Sequence, residues 1–448
     1  MKSGDLILYR RMLNDGLLSE MVFLKEKKRD EDTELSGECF FRVAGGLIEK
    51  AEEYGFFGNL WKVYITFLLA VDENPYSLAL EMRSSKGNSL ISAAVHDMEY
   101  IKELFDHDGF LSDPEQDGKL CALITDYQGD DDRKRIYDKG IRDRIQALEK
   151  RLEGAKDGAE FAKVLGEYYT ESGTGQYGLY KSFRLSHDRD GVEIVPIICP
   201  DDAKLSDLIG YELQKERLKE NTEAFLNGRS ANNCLLYGAA GTGKSSSIKG
   251  ILNEYHDRGL RMIELYKHEF RELPFIMEKI RRRNYRFIIY MDDLSFEDFE
   301  TEYKHLKAVI EGGLEKKPEN VLIYATSNRR HLIRENFSDR SDSASYSPAY
   351  GKTAAGANAY SGGDDIHRND TVQEKLSLAY RFGISIYFGS PDKKEFNHIV
   401  KSLAKRYNIN MDEDRLLMEA NRWELSNGGL SGRTAKAFID YLGGAVDL

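Results

Sequence analysis

The sequence is poor in cysteine and proline, and its four cysteines, Cys39, Cys121, Cys199 and Cys234, lie far apart. No paired spacing of the kind that zinc sites or small disulfide scaffolds need is present, so reduced, buried thiols are expected. Long apolar runs are also missing. The most apolar window, Val63 to Val71, is far too short to span a bilayer, and Met1-Lys2-Ser3-Gly4-Asp5 is not a basic stretch followed by an apolar one. A cytoplasmic protein without a membrane partner is the expectation. Basic excess is absent too: nearly all of the formal net charge of −12 lies in residues 1–200, which carry 27 Lys and Arg against 38 Asp and Glu. An acidic front half argues against that half gripping phosphate backbones, which calls for a basic stripe. With 448 residues, 41% of them hydrophobic, the chain has material for about two or three domains.

What is present begins with Gly238-Ala239-Ala240-Gly241-Thr242-Gly243-Lys244-Ser245, the pattern G-x-x-x-x-G-K-[ST], set between the apolar stretch Asn233 to Tyr237 and a helix-like segment that opens with Ser246. Its glycines let successive backbone N–H groups turn inward around a phosphate chain. Lys244 brings a point charge to the terminal phosphates, and the Ser245 hydroxyl can join a magnesium shell. The strand Phe287 to Met291 ends in Asp292-Asp293, 48 residues beyond Lys244. Asp292 is expected to hold the magnesium through water, and Asp293 to orient or polarise an attacking water. Alone, two acids after an apolar strand read equally well as a helix cap; the glycine motif tips the balance. The next strand ends Tyr324-Ala325-Thr326-Ser327-Asn328, which makes Asn328 the candidate to sense the γ-phosphate. Arg329 and Arg330 follow, suited to a neighbouring subunit, to nucleic acid or to a plain solvated helix start.

Residues 1–171 have mostly helical periodicity and predict a helical N-terminal domain. The stretch 172–204 reads as a linker; its Gly173-Thr174-Gly175-Gln176-Tyr177-Gly178 is formally G-x-G-x-x-G but follows a helical run rather than a strand. From 205 to 390 strands and helices alternate, with strands at Cys234 to Tyr237, Arg261 to Tyr266, Phe287 to Met291, Val321 to Thr326 and Ile384 to Phe388. This spacing predicts an α/β fold, a five-stranded parallel sheet between helices with ligands at the strand carboxyl ends. Residues 337–365, rich in Ser, Ala, Gly and Tyr, read as a mobile insertion, and 391–448 as a helical lid.

In order and spacing these elements resemble the AAA+ P-loop ATPases. The resemblance implies that Ile209 and Gly210 face the adenine of ATP. It implies also that Arg381, in Arg381-Phe382 before the last strand, reaches into an adjacent protomer's site, and that Arg433, in Leu430-Ser431-Gly432-Arg433, touches the nucleotide from the lid. It narrows further at Asn221 to Leu226, Arg286 to Phe296, Glu311 to Leu314, Ile323 to Leu332 and Glu374 to Leu378, which look like an uncharacterised bacterial AAA+ family labelled domain of unknown function 815, over roughly 172–448. Two departures stand out: Tyr380 occupies a place where that family tends to have Asp, and the insertion lengthens the segment before it. Asp293 differs from the Glu usual in AAA+ unfoldases and is similar to the Asp-Asp pair of helicase loaders. After the second strand, Tyr266-Lys267-His268-Glu269-Phe270 lacks the glycine-bracketed aromatic of protein-threading pores.

The leading expectation is therefore an ATPase using ATP and Mg2+ at the interface of a homo-oligomer, whose assembly the nucleotide can control, to remodel or load a protein client. A nucleotide-dependent switch with slow hydrolysis is the second reading. A helicase-loader-like protein on nucleic acid comes third, because of the acidic balance.

Overall fold

The computed structural model describes residues 3–26, 33–82, 87–107, 118–129, 137–188, 191–296, 302–311, 317–328 and 381–446. The insertion 337–365, Arg329, Arg330 and Tyr380 lie outside them. Two compact units emerge, one of Met1–Ser182, Pro196–Pro200 and Arg282–Asn284, the other of Phe183–Val195, Asp201–Arg281 and Tyr285–Leu448.

The first unit is helical. Its helix Leu60–Val71 is apolar almost all round, and so it runs through the middle with Leu60, Trp61, Tyr64, Ile65 and Leu69 buried. Asn59 caps it by accepting the N–H of Lys62 at 3.2 Å, and the Trp61 indole donates to the Leu104 carbonyl at 2.8 Å. A buried carboxylate, Asp97 on helix Asn88–Phe105, receives the N–H groups of Ile7, Leu8 and Tyr9 and so pins the N-terminal segment. Among the described residues no helix is long and apolar enough to cross a membrane.

The second unit is built on a sheet of seven strands: β1 (Ser182–Asp188), β2 (Gly191–Pro196), β3 (Cys234–Gly238), β4 (Leu260–Glu264), β5 (Arg286–Met291), β6 (Val321–Ser327) and β7 (Ile384–Phe388). Their order is β2-β1-β4-β5-β6-β3-β7. This corrects the five-strand expectation, because β1 and β2 come from the stretch read as linker. Their residues alternate between buried and exposed, Phe183 and Leu185 turning in, so they lack the continuous apolar run of an inner strand. The Gly173 to Gly178 motif lies outside the sheet, its last residues forming the short helix Gly175–Leu179.

β4, β5, β6, β3 and β7 are mutually parallel. β6 is buried along its whole length, and β5 from Phe287 to Met291, as strands covered on both faces must be. Leu236, Ile288, Tyr290, Leu322 and Ile386 make one core with Leu218, Phe225 and Ile248 of the covering helices. The Tyr324 hydroxyl, buried in that core, is satisfied by Thr222 at 2.8 Å and Asn221 at 3.0 Å. The chain ends in three helices, Lys393–Arg406, Glu413–Ser426 and Gly432–Val446. They close around a cluster of their own that includes Phe396, Val400, Ala420, Phe438 and Ile439.

Candidate nucleotide site

Parallel strands gather their carboxyl ends at one edge, and the loops leaving β3, β5 and β6 meet there. β3 runs into helix Lys244–Tyr255 through the glycine loop. Two of its glycines are required by contact. Gly238 has φ 138° and a side chain there would stand 2.0 Å from the Phe388 carbonyl oxygen; Gly243 has φ 90° and would meet Leu208 Cδ1 at 2.2 Å. Gly243 also occupies the helix N-cap and offers no side chain to the first-turn N–H groups. Uncapped donors at the positive end of a helix form a ready anion site.

The strand order explains the rest. β6 lies between β3 and β5, so groups at its end reach both neighbours. Ser245 Oγ donates to Asp292 Oδ1 at 2.7 Å, and Thr326 Oγ1 donates to the same oxygen at 2.6 Å. The Asp293 N–H donates to Thr326 Oγ1 at 2.9 Å, and Asn328 Nδ2 donates to Asp293 Oδ1 at 2.7 Å. Lys244 Nζ completes the chain by donating to Asn328 Oδ1 at 3.0 Å, and it also turns back on the loop carbonyls of Gly238 and Ala239 at 3.0 and 2.6 Å. Asp293 adopts a left-handed backbone, φ 49°, which Asp tolerates better than most residues.

Two ionisations are shifted. Burial pushes Asp292 up, but the hydrogen bonds from Thr326, Ser245 and the Asp293 backbone outweigh it and hold the carboxyl below its ordinary value. For Lys244, burial lowers the ammonium pKa and nearby Arg433 adds to that, while Asp293 and Asp292 oppose it without cancelling it.

These groups line a cavity of about 710 Å3. Its far wall is apolar at Ile209, Ile399 and Leu403 and basic at Arg406, Arg433 and Lys436. The backbone N–H of Arg433 donates to the Gly241 carbonyl at 3.2 Å, and Gly210, φ 81°, makes the bend between Ile209 and Tyr211. Lys436 Nζ lies 4.2 Å from the centre of the Tyr407 ring, and Arg406 donates to the carbonyls of Ser206 and Asp207 at 3.1 and 3.3 Å. A larger cavity of about 800 Å3 beside helix Glu212–Leu226 contains none of the motif residues, so size alone does not mark the site.

The structure thus brings the loop from Gly238 to Ser246, Asp292, Asp293, Asn328, Ile209, Gly210 and Arg433 together. Arg381 lies elsewhere: β7 pairs in parallel with β3, Ile384 level with Cys234 and Phe388 with Gly238, which puts Arg381 at the opposite end of the strands. Thr326, Tyr211, Arg406, Tyr407 and Lys436 escaped the sequence reading. Only Thr326 carried a signal, because it sits two residues before Asn328 and alternate strand residues share a face.

The oxygen pair Ser245 Oγ and Asp292 Oδ1 suits a small hard cation such as Mg2+, which one or two side chains hold together with substrate phosphates. Among the described residues no group of three or more His, Cys, Asp or Glu could make a full protein cage for a metal. Fold and site together define a P-loop α/β protein. The chain belongs to the family described as "Protein of unknown function (DUF815)", whose model matches residues 179–446. No curated protein matches the sequence. Among solved structures, two mutants of RuvB from Thermotoga maritima match at 15% identity, with TM-scores of 0.34 and 0.35. Each match covers 55% of this chain and 65% of the RuvB chain, and neither bears on substrate or partner.

Proposed function

We propose that this protein binds magnesium ATP and hydrolyses it at an interface between copies of itself, using the cycle to remodel or load a protein partner. The observation that carries the reading is the unbroken hydrogen-bonded chain from Lys244 through Asn328, Asp293, Thr326 and Asp292 to Ser245. It joins a lysine for the phosphates, an oxygen pair for the metal and a carboxylate for the attacking water.

The uncapped first turn of helix Lys244–Tyr255 and the loop N–H groups receive the phosphates, and Lys244 leaves its carbonyl partners for the terminal ones. Ile209, Ile399 and Leu403 give the base an apolar seat, with Arg433 above the phosphates. Ser245 and Asp292 would hold Mg2+, which neutralises charge on the phosphate oxygens when bound. Asp293 accepts a proton from the attacking water, and Asn328 fixes the direction of its carboxylate. Arg381, outside its own chain's cavity, would complete the site of a neighbouring copy.

A switch with slow turnover is the second reading, favoured by one observation: Asn328 ties Lys244 to Asp293, so Lys244 must leave that partner before it reaches a phosphate. Asp293 is also one methylene shorter than Glu, and a misplacement of about an ångström can cost about a hundredfold in rate. A helicase-loader-like role on nucleic acid, third, is motivated by the Asp292-Asp293 pair and by Arg329 and Arg330, and salt-dependent oligonucleotide binding would test it.

The deciding experiment compares two variants by calorimetry and phosphate release. Lys244→Ala should lose measurable affinity for ATP. Asp293→Asn should keep it while turnover drops at least about a hundredfold. Unchanged ATP affinity in Lys244→Ala would end this reading.

A further inference from the structure

At the other edge of the sheet, where β5 and β6 begin, lies a separate cavity of about 350 Å3 whose lining includes Arg229, Arg286, Lys317 and Glu319. Among the described residues, three cations and a single carboxylate thus share one small space. Lys317 is partly buried, and among the described residues its ammonium has one hydrogen-bond partner, Asn233 Oδ1 at 2.7 Å. That acceptor is neutral, and it is already shared with the Ile323 N–H at 3.0 Å. Arg286 spends one nitrogen on the Glu319 carbonyl at 3.0 Å and lies against the Phe225 ring; its Nη2 faces Gly228, where a side chain would approach it to 3.2 Å. Arg229 follows at the bend after helix Glu212–Leu226, exposed at the rim.

Withdrawing a cation from water is unfavourable unless an anion or several acceptors replace the hydration shell. Here one neutral oxygen does so, and burial alone pulls the Lys317 pKa down to about 8. Among the described residues no acid offsets that shift, and Arg229 and Arg286 add positive charge around the same space.

We propose that this cavity is a binding site for a small oxyanion, a phosphate or carboxylate group, received by Lys317 and Arg286 with Arg229 closing the rim. The anion supplies the counter-charge that the described residues do not. The proposal is independent of the ATPase reading, since the two sites lie at opposite ends of the strands. The sign of its pH dependence follows. Because the folded-state pKa of Lys317 lies below its ordinary 10.5, the empty protein gains stability as pH rises from about 8 towards 10.5, and a bound anion abolishes that gain by holding the proton on. Phosphate affinity therefore falls across the same range.

The test uses the full chain carrying Lys244→Ala, which blanks the glycine loop as a competing phosphate site, and inorganic phosphate as probe at constant ionic strength. Lysine side-chain NMR, with the Lys317 signal assigned from Lys317→Met, should show titration near 8 without phosphate and a saturable rise of at least one pH unit with it. Thermal melting should show phosphate stabilising the parent but neither its Lys317→Met nor its Arg286→Gln derivative. Phosphate-free Lys317→Met should melt above the parent, since it buries no charge. Lys317 titrating near 10.5 without phosphate, or phosphate stabilisation surviving in Lys317→Met, would overturn the proposal.

Discussion

A single hydroxyl decides how the acidic pair is used. Thr326 donates to Asp292 and accepts from the Asp293 backbone, so it fixes the carboxylate proposed to hold the metal and the turn that aims the next one. Thr326→Val keeps the shape and removes both bonds. The magnesium concentration needed for half-maximal turnover should rise about tenfold, in the range of lost outer-shell partners, and stability should fall by about 1–3 kcal/mol. A magnesium titration of ATPase activity and a urea melt check the two. Lys244 gives a second expectation. Its pKa in the ligand-free protein lies below the ordinary 10.5, and arriving phosphates raise it, so ATP binding at alkaline pH takes up protons and weakens as pH rises through the lowered value. Calorimetry in buffers of different ionisation enthalpy measures that uptake directly. Asp292 works in the other direction. Held below 3.8, it contributes stability that is fully present above that value and is lost only as pH falls through the lower folded-state value.

At the level of strands and loops, the fit between β3 and β7 is the tightest constraint on the site. Gly238→Ala puts a methyl group within 2.0 Å of the Phe388 carbonyl on a backbone with φ 138°, so β7 must move or the loop must unwind. A loss of at least about 2 kcal/mol in urea unfolding is expected, with ATP affinity falling alongside. The same elements show what a linear reading reaches. β3, β5 and β6 were legible because strands covered on both faces read as apolar runs, and the glycine loop because its spacing follows from phosphate geometry. β1 and β2 were not, because half-covered strands alternate and look like loop. Thr326 shares a strand face with Asn328 by spacing, but its bonds to Asp292 and Asp293 come from β6 lying beside β5, an order the spacing does not encode. Tyr407 and Lys436 join the cavity only through the packing of the last helices, which sequence distance does not reveal.

For the assembled molecule, the position of Arg381 sets the expectation. One chain's cavity lacks it, so turnover should depend on protein concentration. Arg381→Ala should bind ATP normally while losing about a thousandfold in rate, as removal of a transition-state arginine does elsewhere. Mixing Arg381→Ala with Lys244→Ala should restore part of the activity, because the second variant lends its arginine to the intact loop of the first; a mixture no more active than its parts would place Arg381 in a structural role. Inside one chain, the contact between Arg433 and the Gly241 carbonyl joins the start of the last helix to the loop that would wrap the phosphates. A tilt of the C-terminal bundle and a change in that loop are therefore one event. Hydrogen–deuterium exchange should report it as a shared rhythm, the amides of Gly241 to Gly243 and of the first turn after Gly432 slowing together when ATP arrives and quickening together when product leaves.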